Sequence, residues 1–252
     1  MVTSISSQKG GTGKTTTTLT LATGLAKRGK RVLVIDMDSQ ANSSKILIPD
    51  YQKIIGSQNT ICEVILEKRL EMPVHASTIQ NVDVVPSHIL LSEADIALTS
   101  AMDHREARLV KALDPIKDNY DYVFIDCPPS LSWLTLNALT ASDEVIVVIS
   151  PGYFELDSVK QISKTIGAVK ENFNPELVWR GILFNMSEPT NNSRISLQVI
   201  RQTFDNVFKT VIPRNTSMKD AHSNKESIFQ YDPTSKSAQA YDRLISELYG
   251  KE

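Results

Sequence analysis

Residues 8–16 read Gln-Lys-Gly-Gly-Thr-Gly-Lys-Thr-Thr, a composition suited to holding an anion. A glycine-rich turn that feeds a helix N-terminus aims successive backbone N–H groups at one point, and the helix dipole adds to the attraction. Lys14 stands where it reaches the β- and γ-phosphates of a nucleotide, and the Thr15 hydroxyl where it ligates Mg²⁺. The usual G-x-x-x-x-G-K-[ST] spacing fails here, because its first glycine falls on Gln8. A second lysine, Lys9, stands five residues before Lys14 instead. Two cations crowding one set of phosphates are hard to explain within one subunit. Lys9 makes sense if it reaches across a dimer interface to a partner's nucleotide, as an arginine finger does in trans.

Three carboxylates belong with this loop. Asp126 ends the apolar run Tyr122–Asp126 and is placed to hold Mg²⁺ through water. Asp36 and Asp38 end another run and, two residues apart, point the same way. A lone strand-end Asp often caps the following helix, but three beside a phosphate loop read as a catalytic set. No nucleophile offers itself, so rate enhancement must come from positioning and charge neutralisation. His75, His88, His104 and His222 lack metal-ligand spacing and read as surface or loop residues. Cys62 and Cys127 are too few for a disulfide framework or a four-thiolate metal site. Cys127 reads as a small buried filler.

These residues need a scaffold of strands ending near one another. Short β-branched runs recur at 2–6, 31–36, 82–86, 122–126, 144–150, 181–186 and 210–213. Several are apolar throughout, as strands buried on both faces are. Helical spacing is predicted over 16–28, 109–113, 131–139, 157–173, 195–204 and 235–249, the first stopped by Gly29 after two basic residues. Strand alternating with helix predicts an α/β fold with a central, mostly parallel sheet flanked by helices on both faces. Residues 50–74 are the least regular, with short helical pieces at best, and are the candidate surface excursion. With no repeat, low-complexity tract or Gly/Ser linker, residues 1–252 read as one domain.

Composition sets the outer limits. Among 252 residues, 27 Lys and Arg stand against 29 Asp and Glu, for a net charge of −2. A uniformly basic nucleic-acid binder is thereby excluded, although a local basic patch is not. No stretch approaches the ~18 apolar residues of a membrane span, and Met1 runs into a strand-like segment rather than a signal peptide. From Arg194 to Lys225 six basic residues face two acidic ones. Without interleaved aromatics, that excess suits contact with phosphate backbone rather than bases. A solvated helix face looks similar on charge alone.

The chain resembles the ParA/MinD deviant Walker A ATPases, and within them the ParA/Soj partition branch. The resemblance spans nearly the whole chain and rests on four motifs in order: Lys9–Thr16; Val34–Asn42, with Ser39 replacing the more common Pro; Phe124–Ser130; and Val211–Asn215. It implies a P-loop NTPase fold, ATP and Mg²⁺ as cofactors, and a cytoplasmic, nucleoid-associated ATPase. It implies that Lys9, Gly10, Gly11, Thr12, Gly13, Lys14, Thr15 and Thr16 hold the phosphates, with Lys9, Lys14 and Asp38 catalytic. Asp38 polarises the attacking water, while Asp36 supports Thr15 and the magnesium shell with Asp126. Asn185, Pro213 and Asn215 surround adenine, the Asn185 amide pairing with the base edge. Arg194 falls where ParA/Soj proteins carry a DNA-contacting arginine, and Arg214, Lys219 and Lys225 extend that patch. The partners implied are a second copy held by ATP, non-specific duplex DNA, and a ParB-like or other adaptor that stimulates hydrolysis.

The cargo implied is a plasmid or chromosome locus, or alternatively a protein organelle such as a carboxysome. A metabolic or metal-cluster-carrier ATPase of the same fold is the competing class. It would want clustered cysteines or a further substrate segment, and neither stands out in the sequence. A scaffold with negligible turnover would not need Asp38. Residues 241–252 balance their charges and lack the basic apolar stripe of a membrane-binding tail.

Overall fold

The computed structural model describes residues 1–152 and 155–250. The strands are β1 (Val2–Ser6), β2 (Val32–Asp36), β3 (His75–Ala76), β4 (Val82–Val85), β5 (Tyr122–Asp126), β6 (Glu144–Ile149) and β7 (Val178–Phe184). The helices up to β5 are α1 (Lys14–Lys27), α2 (Asn42–Leu47), α3 (Tyr51–Gly56), α4 (Ile61–Ile65), α5 (Leu91–Ser100) and α6 (Arg108–Leu113). After it come α7 (Trp133–Thr140), α8 (Glu155–Asn172), α9 (Asn191–Thr203), α10 (Ser217–Ser223), α11 (Ile228–Tyr231) and α12 (Lys236–Tyr249). Lys251 and Glu252, in the tail read above for charge, lie outside the described residues.

The seven strands form one sheet in the order β3-β4-β2-β5-β1-β6-β7, parallel except for β3 against β4. The central strands β1, β2, β5 and β6 are buried almost throughout, which is why β2, β5 and β6 read as apolar runs, while β1 buries Thr3, Ser4 and Ser6 as well. One face is covered by α1, α2 and the C-terminal helices around Leu21, Leu25, Tyr241 and Leu244. The other is covered by α4 to α7 around Ile61, Leu98, Leu109 and Leu134, continuing to α8 around Ile162 and Ile166. The expected α/β architecture is the observed one.

Several segments differ from the sequence reading. Residues 210–213 form no strand; this segment meets β7 and the turn after it through isolated bridges, Ile182 to Val207 and Ser187 to Pro213, and through the Ile212 N–H donating to the Phe184 carbonyl at 3.0 Å. The Glu247 carboxylate on α12 accepts from the N–H groups of Lys209 and Thr210 at 2.8 and 3.0 Å, so those donors are not available to a ladder. Within residues 50–74 the two short helices appear, but the segment is no surface excursion. Ile61, Cys62, Val64 and Ile65 are core residues, with α4 started by a Thr60–Glu63 capping box. Helices α2, α5, α10 and α11 have no counterpart in the sequence reading.

Candidate functional site

Strand order brings the chemistry together. β1 delivers the phosphate loop; its neighbour β5 ends at Asp126, and β2, paired to the far side of β5, ends at Asp36, which stands opposite Asp126 in register. In a parallel sheet all three strands finish at the same edge. Side by side, two carboxylates in a dry interior disfavour each other's charge. Burial first, and then the Asp126 carboxylate, push the Asp36 pKa above the ordinary carboxylate range. Burial likewise pushes Asp126 up, opposed by hydrogen bonds from Ser43 and Thr15 and by the Lys14 charge.

The loop itself is held by backbone geometry. Gly13 has φ +91°, and a Cβ there would lie 2.2 Å from the Asn185 amide nitrogen, so only glycine fits. Lys14 is buried at the start of α1, and desolvation lowers its pKa against the pull of Asp126. Its Nζ lies 3.4 Å from the Lys9 carbonyl oxygen. The Thr15 hydroxyl donates to Asp126 Oδ2 at 2.8 Å, and Ser43 Oγ donates to the same oxygen at 2.7 Å. Asp126 Oδ1 is buried with no hydrogen-bond partner, as are Ser6 Oγ and Thr12 Oγ1. A buried orphan carboxylate oxygen beside a Thr hydroxyl is the donor set of a hard divalent cation and its water shell.

The hydrogen bonds of Asp36 go to the turn that follows it, while Thr15 bonds Asp126. The Asp36 oxygens accept from Ser44 N–H and Oγ at 2.9 and 2.7 Å and from Asp38 N–H at 3.1 Å, so Asp36 ties down the α2 turn. Asp36 and Asp38 do not share a strand, because β2 ends at Asp36. Asp38 lies beyond it, lining a cavity of about 800 Å³ with Gly10, Gly11, Gly13, Lys14, Thr15 and Thr16. Its Oδ1 accepts from Gln40 N–H at 3.0 Å.

The same cavity continues along Asn185, Met186, Ile212, Pro213 and Asn215 to Met218 and Tyr241. Asn185 is buried, and its amide makes two hydrogen bonds. Nδ2 donates to the Thr12 carbonyl at 2.9 Å, while Oδ1 accepts from Met186 N–H at 2.9 Å. With one of its two amide N–H groups, Asn185 braces the phosphate loop. Arg214 and Lys219, expected on a nucleic-acid face, are exposed at the rim of this cavity, and Arg214 pairs with Glu188 at 2.5 Å. Arg194 stands apart in the first turn of α9, exposed and held by Asn191 Oδ1 at 2.7 Å. Lys225 is exposed beyond α10.

His222 is half-buried against the cavity and not a surface residue, with burial lowering its pKa. Sequence reasoning also missed Ser43, Ser44 and Glu155. The first two follow the Asp36–Asn42 motif directly, a signal of adjacency alone. Cys127 is fully buried, as expected of a filler. Among the described residues no group of three or more His, Cys, Asp or Glu could hold a metal ion by itself, and no helix is long and apolar enough to cross a membrane.

A parallel sheet with a glycine-rich loop after β1 and carboxylates at the neighbouring strand ends defines a P-loop ATPase fold. Residues 1–179 match the AAA domain family designated AAA_31. The chain is 38% identical over 247 residues to the sporulation initiation inhibitor protein Soj of Bacillus subtilis, covering 97% of this chain and 96% of that one. It is 39% identical to the chromosome partitioning protein ParA of Myxococcus xanthus, covering 97% and 86%. Among solved structures, it matches a cobyrinic acid a,c-diamide synthase from Mycobacterium smegmatis with bound ATP analog and magnesium. That match has a TM-score of 0.83 and 30% identity, and covers 97% and 92% of the two chains. The chain belongs to the AAA domain family, as a ParA/Soj-type partition ATPase.

Proposed function

We propose that residues 1–252 act as one MgATP-switched unit in which ATP pairs two copies, the pair binds duplex DNA without sequence preference, and a ParB-like adaptor stimulates hydrolysis and release. The observation that carries this reading is the shared sheet edge. The phosphate loop, Lys14, Thr15 and Asp38 line one cavity, and Asp126 lies behind it, hydrogen-bonded to Thr15. Residues 10–16 and Lys14 hold the phosphates, Thr15 and Asp126 hold Mg²⁺, and Pro213, Asn215 and Met218 enclose the base. Bound Mg²⁺ supplies charge neutralisation on the phosphates. Asp38 accepts a hydrogen bond from the water and orients it, and Lys14 offsets charge developing on the phosphoryl oxygens. Lys9 reaches the partner's phosphates. The Soj and ParA relatives at 38–39% identity support a DNA locus as cargo over a protein organelle, and support the reading of a cytoplasmic, nucleoid-associated protein.

The second reading, an ATP-dependent metabolic enzyme, draws on the 30% identical synthase structure. Asp38→Ala separates hydrolysis from binding. The variant should bind MgATP as the parent does and lose at least ~100-fold in phosphate release, a range typical of removing one positioned polar group. Wild-type turnover in Asp38→Ala would overturn the assignment. Hydrolysis indifferent to DNA and adaptor would favour the metabolic reading.

A further inference from the structure

The second lysine of the phosphate loop is paired within its own chain. Lys9 Nζ lies 2.8 Å from Glu155 Oε1, at the first residue of α8. The Glu155 side chain is 5% exposed against 36% for Lys9. Gly152 makes the room, since a Cβ there would come within 2.9 Å of that same oxygen. The other oxygen, Glu155 Oε2, is buried with no hydrogen-bond partner among the described residues. A buried carboxylate half satisfied in this way depends on its cation. Taking the cation away strands a charge in a low dielectric, which costs far more than the pair contributes net. The chemistry of a single site has no use for this pair, because Lys14 already serves the phosphates and the reacting carboxylates are Asp126 and Asp38.

We propose that Glu155 is a positioning residue that holds Lys9 on its own subunit and competes with the nucleotide phosphates of a second copy for it. Self-association with ATP is thereby restrained until the stronger anion wins. A triphosphate carries several negative charges against one on Glu155, so the exchange favours ATP over smaller anions. This inference rests on the reading that Lys9 acts in trans.

The test is sedimentation of Asp38→Ala protein with saturating MgATP across a protein dilution series, with Glu155→Gln or Lys9→Ala added. Glu155→Gln keeps the side-chain shape and removes the charge, and it should tighten the dimer by roughly tenfold. Damage to the fold would not produce tighter assembly. Lys9→Ala should abolish or sharply weaken the dimer. If Glu155→Gln leaves assembly unchanged or weaker while Lys9→Ala still abolishes it, the restraint is refuted and the trans role stands. If Lys9→Ala dimerises like its parent, the trans role fails and the restraint with it. Without nucleotide, Lys9→Ala should lower the urea midpoint, and adding Glu155→Gln should recover it. No recovery would show that the buried carboxylate does not depend on Lys9, which also overturns the proposal.

Discussion

At the scale of single residues, the site is organised around Asp126. One oxygen takes two hydroxyl hydrogen bonds, from Thr15 and Ser43, and the other takes none. Such an arrangement trades stability for function, because the like charge of Asp36 stands opposite across β2 and β5. Both folded-state pKa values lie above those of the unfolded chain. The folded protein therefore holds protons that the unfolded chain has already lost, and that stabilisation disappears as pH rises from the ordinary carboxylate range, about pH 4, toward neutrality. The nucleotide-free protein should show a urea midpoint that falls over that interval. Asp126→Asn should flatten the fall and raise stability at neutral pH by about 1 kcal/mol, while losing Mg²⁺-dependent hydrolysis. A variant less stable than its parent at neutral pH, or still active with Mg²⁺, would contradict this account.

At the scale of elements, α1 links the loop to the rest of the fold. Its N-terminus carries Lys14 and Thr15, and its body packs on α12. Gly24 permits the close approach, since a Cβ there would fall 2.2 Å from Ile245 Cδ1. One turn from the phosphates, Thr17 and Tyr241 share a hydroxyl hydrogen bond of 3.0 Å with both residues fully buried. Losing one partner of a buried pair costs more than losing both. Tyr241→Phe should therefore destabilise by about 1–2 kcal/mol, and Thr17→Val added to it should restore part of that loss. Chemical denaturation of the four proteins in the cycle measures the coupling, and strict additivity would show that the bond contributes nothing. Because Tyr241 also lines the cavity, nucleotide affinity should change in step with stability.

At the scale of the whole molecule, the charge distribution separates two groups of basic residues that are continuous in the sequence. Arg214 and Lys219 border the nucleotide cavity, whereas Arg194 projects from α9. One exposed arginine in a chain of net charge −2 is a weak phosphate ligand. Binding to duplex DNA should then require the doubled patch of an ATP-held pair and should fall steeply with salt. Arg194→Glu should reduce filter retention of random duplexes in ATP by at least ~10-fold and leave ATP-dependent pairing intact. Equal retention in ADP and ATP, or strong preference for one sequence, would refute a DNA face built on Arg194.

Local sequence determined the parts whose physics is local. Residues 8–16 specify an anion-binding turn because glycines and a following helix suffice for it, and the unbroken apolar runs specify strands buried on both faces. The carboxylates were legible because each ends such a run. What each carboxylate does was decided by the tertiary structure. The β2–β5 register sets Asp36 against Asp126, Ser44 turns Asp36 into an anchor for α2, and Asp126 alone receives Thr15. The Asn185 brace on Thr12 joins residues 173 positions apart, and the Lys9–Glu155 pair spans 146. Glu247 likewise takes the Lys209 and Thr210 N–H groups, 38 and 37 residues away, where the expected strand would begin. Pairings at such separations leave no periodicity in the chain, because only the folded sheet and the helices packed on it bring the partners within hydrogen-bond reach.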